Sequence, residues 1–237
     1  MKQKRKPIGP AVGLSISKHI ALLDISDLKE FHLQIESKFK RDIAQMSAKY
    51  EAQIKELNAS QKKELAEFLG GETLAVKTYM SIHRKNIIVS LCSFIETKLN
   101  GVCRSLHKKN NLPEKHTDSR RDKGITRARK YIKNHTKIDF IKFNSEWTKL
   151  NDLFKIRDCL IHCGGDIKLL EENKENNKIR ILKDIVRSSK WLSIKGERHL
   201  ELEKKFVDEA LEIASTFIEK LYEEYFQCNI VQGNQKM

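Results

Sequence analysis

The feature that most constrains the fold is an 11-residue repeat of apolar residues between Leu28 and Phe68. No Pro or Gly occurs from residue 26 to residue 69, and ten of the twelve repeat positions are apolar. Such a repeat keeps one apolar stripe nearly straight along an α-helix and favours a gentle right-handed supercoil. It predicts one helix of roughly 65 Å that ends at Gly70-Gly71. The repeat positions are Leu28, His32, Ile35, Phe39, Ile43, Met46, Tyr50, Ile54, Leu57, Gln61, Leu65 and Phe68.

A stripe of this length needs a second helix to cover it, from this chain or from a second copy. Packing on the chain's own bundle and dimerisation both satisfy that need, and we favour dimerisation. Residues 1–24 have a basic tip and no clear period, so we expect a loosely ordered arm. The predicted domains are a basic arm with a long helical or coiled-coil extension at 1–71, followed by a helical bundle at 72–237.

The remaining patterns predict an all-α protein with a small β-hairpin before the last helix. A stripe of six apolar residues from Ile88 to Leu106 marks a long second helix. Ser145 is a candidate N-cap, and Gly164-Gly165 would end the helix that follows it. The predicted helices are Glu72–Lys109, Lys123–Lys133, Ser145–Cys163 and Glu197–Phe226, and the predicted strands are Lys178–Ile185 and Ser189–Lys195.

Composition narrows the function classes. The 237 residues hold 46 Lys and Arg against 32 Asp and Glu, a net charge of +14, which favours an anionic partner such as nucleic acid. No apolar run is long enough to span a membrane. Five Cys without a CxxC pair are typical of a reduced, intracellular protein, so we expect a cytoplasmic location. The phosphate-loop and dinucleotide motifs are absent from the sequence.

The most informative stretch ends the helix predicted at Ser145–Cys163. Arg157 falls at a position of its apolar stripe, where a guanidinium must be paired or must face a cleft. Asp158 and His162 are one helical turn apart, so the carboxylate can hold the imidazole. Arg grips phosphate oxygens and His moves protons near neutral pH, so the combination suits phosphate chemistry.

A purely structural interpretation stays open. Arg157 can form an ion pair with an inward acid, for which Glu96 is the candidate, and His162 can simply cap the helix. Positions five apart lie about 140° apart around a helix. Arg157 and His162 therefore converge only if Arg157 reaches round, the helix end uncoils, or a second copy completes the site.

The pattern of Arg157, Asp158 and His162 resembles the R-x4–6-H motif of HEPN domains. Ser93-Phe94-Ile95-Glu96 is similar to the first core helix of such domains, and the resemblance covers residues 72–226. It implies a dimeric helical bundle with metal-independent endoribonuclease activity, often in toxin–antitoxin or antiviral defence systems. In one HEPN group a Tyr lies two residues after the His, and here Gly164 occupies that position.

The resemblance also implies residue roles. His162 would be the general acid and base, Arg157 would hold the scissile phosphate, and Asp158 would orient the pair. Apart from the resemblance, Glu96 is a candidate to position Arg157, or it is simply a carboxylate at the edge of the α-helical stripe. The partners it implies are RNA, a second copy of the chain, and a neutralising antitoxin or other defence protein; no membrane, cofactor or metal is expected.

The basic centre between Arg104 and Lys137 has twelve Lys and Arg against three acids, a net charge of +9. Its density predicts contact with an RNA backbone. The named RNA-binding candidates are Arg120, Arg121, Lys123, Arg127, Arg129 and Lys130.

Two further alternatives stay open. The chain can be a non-catalytic helical RNA-binding or protein-interaction module. Cys159, His162 and Cys163 can also share a zinc ion with Cys92 or Cys103, although buried structural Cys is the simpler interpretation.

Overall fold

The computed structural model describes residues 10–118, 122–172 and 176–234. It confirms the all-α class. The α-helices of the described residues are α1 Pro10–Gln53, α2 Ala59–Asn110, α3 Gly124–His135, α4 Asn144–Cys163, α5 Lys168–Glu172, α6 Asn176–Ser188 and α7 Lys204–Asn234. Strands β1 (Leu192–Lys195) and β2 (His199–Leu202) form one antiparallel hairpin, and short 3₁₀ turns cover Ile54–Glu56, His116–Asp118 and Phe140–Phe143.

The expected loose arm at 1–24 is wrong for the part that is described, because α1 already begins at Pro10. Proline suits the first position of a helix, where its missing N–H has no partner to lose. Residues 1–9, which include the basic tip, lie outside the described residues.

The prediction of one helix from 26 to 69 is also wrong. The chain leaves the helical conformation at Leu57, and α2 begins at Ala59. The cause is a reciprocal cap. The Gln61 backbone N–H donates to Asn58 Oδ1 at 3.0 Å, and the Asn58 N–H donates to Gln61 Oε1 at 3.1 Å. The expected stop at Gly70-Gly71 does not occur, since α2 continues through both glycines.

The hairpin exists, but its first predicted strand is helical. Residues 178–185 belong to α6, which buries Ile179, Leu182 and Ile185 along one face. The strands are β1 and β2, joined by a tight turn in which Gly196 and Glu197 both have positive φ. Three residues, 196–198, lie between the paired Lys195 and His199, and the Arg198 N–H donates to the Lys195 carbonyl at 3.1 Å to close the turn. The last helix consequently begins at Lys204, later than predicted.

The chain divides into two compact units, which we describe separately. Unit 1 comprises Met1–Ser26, Ser90–Phe154 and Ala210–Met237, and unit 2 comprises Asp27–Val89 and Lys155–Glu209. The predicted division at residue 71 stays a prediction, as does dimerisation through the N-terminal helix.

Unit 1 is a helical bundle with an aromatic centre. Phe143 and Trp147 both contact Phe217 of α7, with ring centroids 5.6 and 5.8 Å apart. The part of the predicted α2 stripe that lies in this unit is buried, from Leu91 to Leu106. This confirms the helical period used to predict it.

In unit 2, α1 and α2 contact each other as a helical hairpin. Glu36 of α1 pairs with Arg84 of α2, and Arg84 Nη1 also donates to the Leu202 carbonyl of β2 at 3.3 Å. Towards the turn, the repeat positions are only partly covered: Tyr50 is half-buried and Phe68 is exposed.

Candidate active site

The C-terminal turn of α4 carries the motif residues. Gly164 and Gly165, both with positive φ, end the helix where predicted. The Gly165 N–H donates back to the Cys159 carbonyl at 3.2 Å, which satisfies one of the last helical carbonyls. A side chain at Gly165 would be strained by its φ of 86° and would crowd Leu160 at 3.3 Å. The glycines therefore fix where the polar end of α4 stops.

The buried face of α4 differs from the predicted stripe. Trp147 and Leu150 are buried as expected, but the buried face continues through Ile156 and Leu160, and Ile161 is exposed. Apolar residues occupy both neighbouring registers of this helix, so spacing alone does not decide which one is buried. Arg157 consequently lies at the edge of the core, with 24% of its side chain exposed.

Arg157 and Asp158 are in direct contact. Arg157 Nη1 donates to Asp158 Oδ1 at 2.9 Å, and 55% of the Asp158 side chain is exposed. The carboxylate thus holds the guanidinium at the edge of the helix. The partner expected from sequence was Glu96, whose pairing with Arg157 stays a prediction.

Asp158 and His162 line one cavity of about 390 Å³ in unit 2, and both are exposed. The one-turn spacing that suggested the pair therefore brings both side chains to the same opening. Arg157 is not part of the lining, and it contacts Asp158 from the adjacent position. The other lining residues are Lys155, Cys159, Cys163, Leu170, Lys178, Ile181 and Leu182.

Glu96 lies on α2 within unit 1, where it is half-buried. Its Oε1 would be 3.7 Å from a Cβ built on Gly124, so the carboxylate lies beside the first residue of α3. An acidic group is favoured there by the dipole of that helix. Glu96 is thus placed where it can interact favourably with the start of α3, a neighbour that the sequence did not suggest.

Two of the six RNA-binding candidates, Arg120 and Arg121, lie outside the described residues. Lys123 is exposed immediately before α3. Lys130 is exposed and forms an ion pair with Asp122, with the nitrogen 2.7 Å from Oδ1. Their contact with RNA stays a prediction.

The two remaining candidates are more enclosed. The Arg129 guanidinium lies over the Phe140 and Trp147 rings, 5.1 and 4.7 Å from the centroids. Burial lowers the pKa of Arg129. Arg127 is half-buried, and within the described part of the chain its Nε has no hydrogen-bond partner. Arg129 thus contributes to the packing of unit 1. Its contact with RNA stays a prediction.

Unit 2 contains a buried pair of histidines that the sequence did not predict. His32 is fully buried, its Nδ1 lies 3.1 Å from His83 Nε2, and the two rings stack with centroids 5.2 Å apart. One of these two nitrogens must be unprotonated, because a hydrogen bond needs an acceptor. Burial lowers the pKa of His32 to about 4 and lowers the pKa of His83 as well.

The same pair is flanked by charged groups. Asp208 Oδ1 lies 3.5 Å from His32 Nε2, and Lys204 pairs with the other Asp208 oxygen at 2.6 Å. Glu36 accepts two hydrogen bonds from Arg84, at 2.6 and 2.8 Å. Burial acts to raise the pKa of Glu36, but Arg84 outweighs it and holds this pKa below its ordinary value. One feature of the sequence could have indicated this cluster: His32 is one of the two polar residues in the 11-residue repeat.

The described residues offer no group of three or more His, Cys, Asp or Glu side chains that could hold a metal ion. Cys159 and Cys163 have buried thiols, and burial raises the pKa of Cys159 to about 11. None of the described helices is long and apolar enough to cross a membrane.

No known protein family, curated protein or solved structure matches this chain. The resemblance of the motif to HEPN domains therefore stays a prediction. The roles of Arg157, Asp158 and His162 have to be argued from their positions and chemistry.

Proposed function

We propose that the protein is a metal-independent endoribonuclease of the HEPN type, which cleaves RNA to 2′,3′-cyclic phosphate and 5′-OH ends. One observation carries the proposal. His162 and Asp158 open onto the same cavity, and Asp158 binds the guanidinium of Arg157. A proton-transfer group and a phosphate-binding cation thus lie at one helix end, where Asp158 shares the cavity of His162 and contacts Arg157.

The reaction exchanges one bond to phosphorus for another, and the protein has to supply proton transfers and charge stabilisation. In it His162 removes the proton from a ribose 2′-OH, and the freed oxygen attacks the adjacent phosphorus. The bond from phosphorus to the 5′-oxygen breaks, and that oxygen takes up a proton. In a homodimer, a second copy of His162 can supply this proton. Arg157 stabilises the negative charge that develops on the phosphoryl oxygens, and Asp158 fixes the direction of the guanidinium.

The net charge of +14 supports an anionic substrate. Cytoplasmic RNA and a role as a toxin or antiviral-defence effector are the substrate and setting that the resemblance implies. In that setting a second protein neutralises the enzyme or triggers it.

The test is RNA cleavage in the presence of EDTA by wild type, Arg157→Ala and His162→Ala. We expect wild type to cleave and His162→Ala to lose about 10²–10⁴-fold in rate, the usual contribution of a general acid–base group. Arg157→Ala should lose about 10²–10³-fold, as on removal of one group that stabilises transition-state charge. Product ends are checked for the 2′,3′-cyclic phosphate. His19→Ala, which removes an exposed histidine of α1, is the matched control and should cleave like wild type.

Undiminished cleavage by His162→Ala would rule out the assigned role. Salt-sensitive RNA binding without turnover by any of these proteins would favour a non-catalytic RNA-binding module instead.

A further inference from the structure

Unit 1 contains a group of side chains that carry or can gain a positive charge, which we call the cationic cluster. It lies where the end of α2 packs against α3, and the two helices are in contact there because Cys103 Sγ donates to the Ala128 carbonyl at 3.6 Å. The 3₁₀ turn His116–Asp118 also contacts α3, since the rings of His116 and Tyr131 lie 5.9 Å apart. The members of the cationic cluster are Arg104 and His107 of α2, His116 of the turn, and Arg127 of α3.

Two nitrogens of the cationic cluster are buried without a partner. Within the part of the chain that the structure describes, neither Arg127 Nε nor His107 Nδ1 has a hydrogen-bond partner. The guanidinium is always protonated, so its Nε is a donor that needs an acceptor. A buried donor without an acceptor is costly. An anion between α2, α3 and the turn would supply that acceptor.

Positive charge exceeds negative charge around His116. Burial lowers the pKa of His116, and the charges of Arg127 and Arg104 lower it further. Asp118 acts in the opposite direction, but its carboxylate also holds its own turn, where Oδ2 accepts a hydrogen bond from the Lys115 backbone N–H at 2.8 Å. Two arginines therefore face one carboxylate that is already engaged, and an added anion is favoured.

We propose that the cationic cluster is a binding site for a doubly charged phosphate group, either free phosphate or the terminal phosphate of a nucleotide. Arg127 donates to it from Nε, Arg104 adds a second guanidinium from the exposed side, and His116 donates once it is protonated. Guanidinium groups suit this ligand because their N–H groups match the spacing of phosphate oxygens. Phosphate binding here does not depend on the cleavage proposed for the end of α4.

The burial of the two nitrogens favours a compact anion over the backbone of an RNA strand. A terminal phosphate has three free acceptor oxygens and close to two negative charges. A backbone phosphate has one charge and carries a sugar on each side. Because Arg127 Nε and His107 Nδ1 are shielded from solvent, the terminal group reaches them with less obstruction.

Binding should be coupled to the uptake of a proton by His116. A bound dianion favours the charged imidazole, so it raises a pKa that the ligand-free protein holds below its ordinary value. Affinity therefore increases as the pH falls. The other charged and titratable groups around His116 are Arg104 and His107 on α2, Arg127 and Tyr131 on α3, and Asp118 in its own turn. Sulfate is the probe for this effect, because it keeps both charges as the pH falls.

The experiment is titration of the full-length protein with inorganic phosphate, sulfate and adenosine 5′-monophosphate. We expect binding in the millimolar range or tighter. Arg127→Met should weaken it at least about tenfold, as on loss of a hydrogen bond to a charged group, and Arg104→Ala about two- to fivefold. Arg41→Ala, which removes an exposed arginine of α1, is the matched control and should bind like wild type.

The melting temperature gives a second measurement. Without added anion, Arg127→Met should melt no lower than wild type, because the variant removes a buried donor that has no partner. Phosphate should raise the melting temperature of wild type but not that of Arg127→Met. Equal affinity for phosphate and the monophosphate would identify free phosphate as sufficient, whereas much tighter binding of the monophosphate would identify a nucleotide.

The absence of binding by all three anions would overturn the site. So would equal weakening by Arg127→Met and Arg41→Ala, which is a general effect of charge, or an Arg127→Met protein that melts well below wild type. Sulfate affinity that does not increase as the pH falls would contradict the role of His116. Phosphate binding by a protein that does not cleave RNA would leave this site in place and remove only the ribonuclease.

Discussion

The end of α4 and the α1–α2 hairpin of unit 2 use the same side-chain types in opposite ways. At the end of α4, Arg157 donates to the exposed Asp158, and His162 is exposed at a cavity. In the hairpin, Glu36 is almost fully buried and accepts two hydrogen bonds from Arg84. His32 is likewise enclosed, against His83.

The difference separates groups that hold the fold from groups that can act on a ligand. Buried charged and polar side chains must be paired, because an unpaired one is costly. In the hairpin that pairing engages the groups with one another, away from any ligand. The groups at the end of α4 lie at an opening, where a substrate can compete for them.

The largest expected effect is on stability in the hairpin. Glu36→Ala leaves Arg84 with only the Leu202 carbonyl among its described partners, and we expect a loss of about 3–5 kcal/mol in the free energy of unfolding. Asp158→Ala, at an exposed ion pair, should change it by less than about 1 kcal/mol. Urea unfolding of both variants measures these changes in the free energy of unfolding. Equal losses in the two would remove the contrast between the regions.

The pH dependence of stability should also distinguish the buried hairpin from the exposed end of α4. The pKa of His32 is about 4 in the folded protein and about 6.5 in an unfolded chain. The unfolded chain therefore binds more protons between these values, so stability is full above pH 6.5 and falls as the pH drops towards 4. His83, whose pKa is also lowered, acts in the same direction.

The loss should amount to about 2–3 kcal/mol between pH 7 and pH 4. The groups facing His32 are His83 on α2, Asp208 and Lys204 on α7, and Glu36 on its own helix. Unfolding free energies are measured at each pH, with His32→Gln as the variant that cannot titrate. A wild-type curve that stays flat from pH 7 to pH 5 would contradict the buried neutral pair.

A smaller effect distinguishes the two arginines. Arg84→Lys replaces two parallel hydrogen bonds and a third to a carbonyl with a single ammonium, which should cost about 1–2 kcal/mol of stability. Arg157→Lys alters an ion pair with a carboxylate whose side chain is 55% exposed, and it should cost about 0.5 kcal/mol or less. Thermal and urea unfolding of the two variants are compared directly. A larger loss at position 157 would indicate that Arg157 is mainly structural.

Local patterns predicted much of the fold. The stripe of α2, the helix α3 and the glycine end of α4 depend on neighbours within a few residues, and they lie close to where they were predicted. The break before Ala59 was missed because the cap formed by Asn58 and Gln61 is embedded in an uninterrupted apolar period. Helix α6 was taken for a strand because its isoleucines, read over eight residues, fit either period.

In the candidate site, too, the sequence predicted neighbours along one helix but not contacts between distant segments. Asp158 and His162 are one turn apart, so the sequence could pair them. The cavity depends on Leu170 and Leu182 packing towards α4, which no local pattern encodes. The hairpin cluster joins residues as distant as His32, His83 and Asp208, so only the tertiary structure brings them together.

The most direct test pairs two variants in two assays. His162→Ala and Glu36→Ala are each measured for RNA cleavage in EDTA, at a temperature where both are folded, and for unfolding free energy. We expect His162→Ala to lose cleavage and keep its stability, whereas Glu36→Ala should lose stability and, while folded, still cleave. Cleavage by His162→Ala at the wild-type rate would exclude His162 as the proton-transfer group.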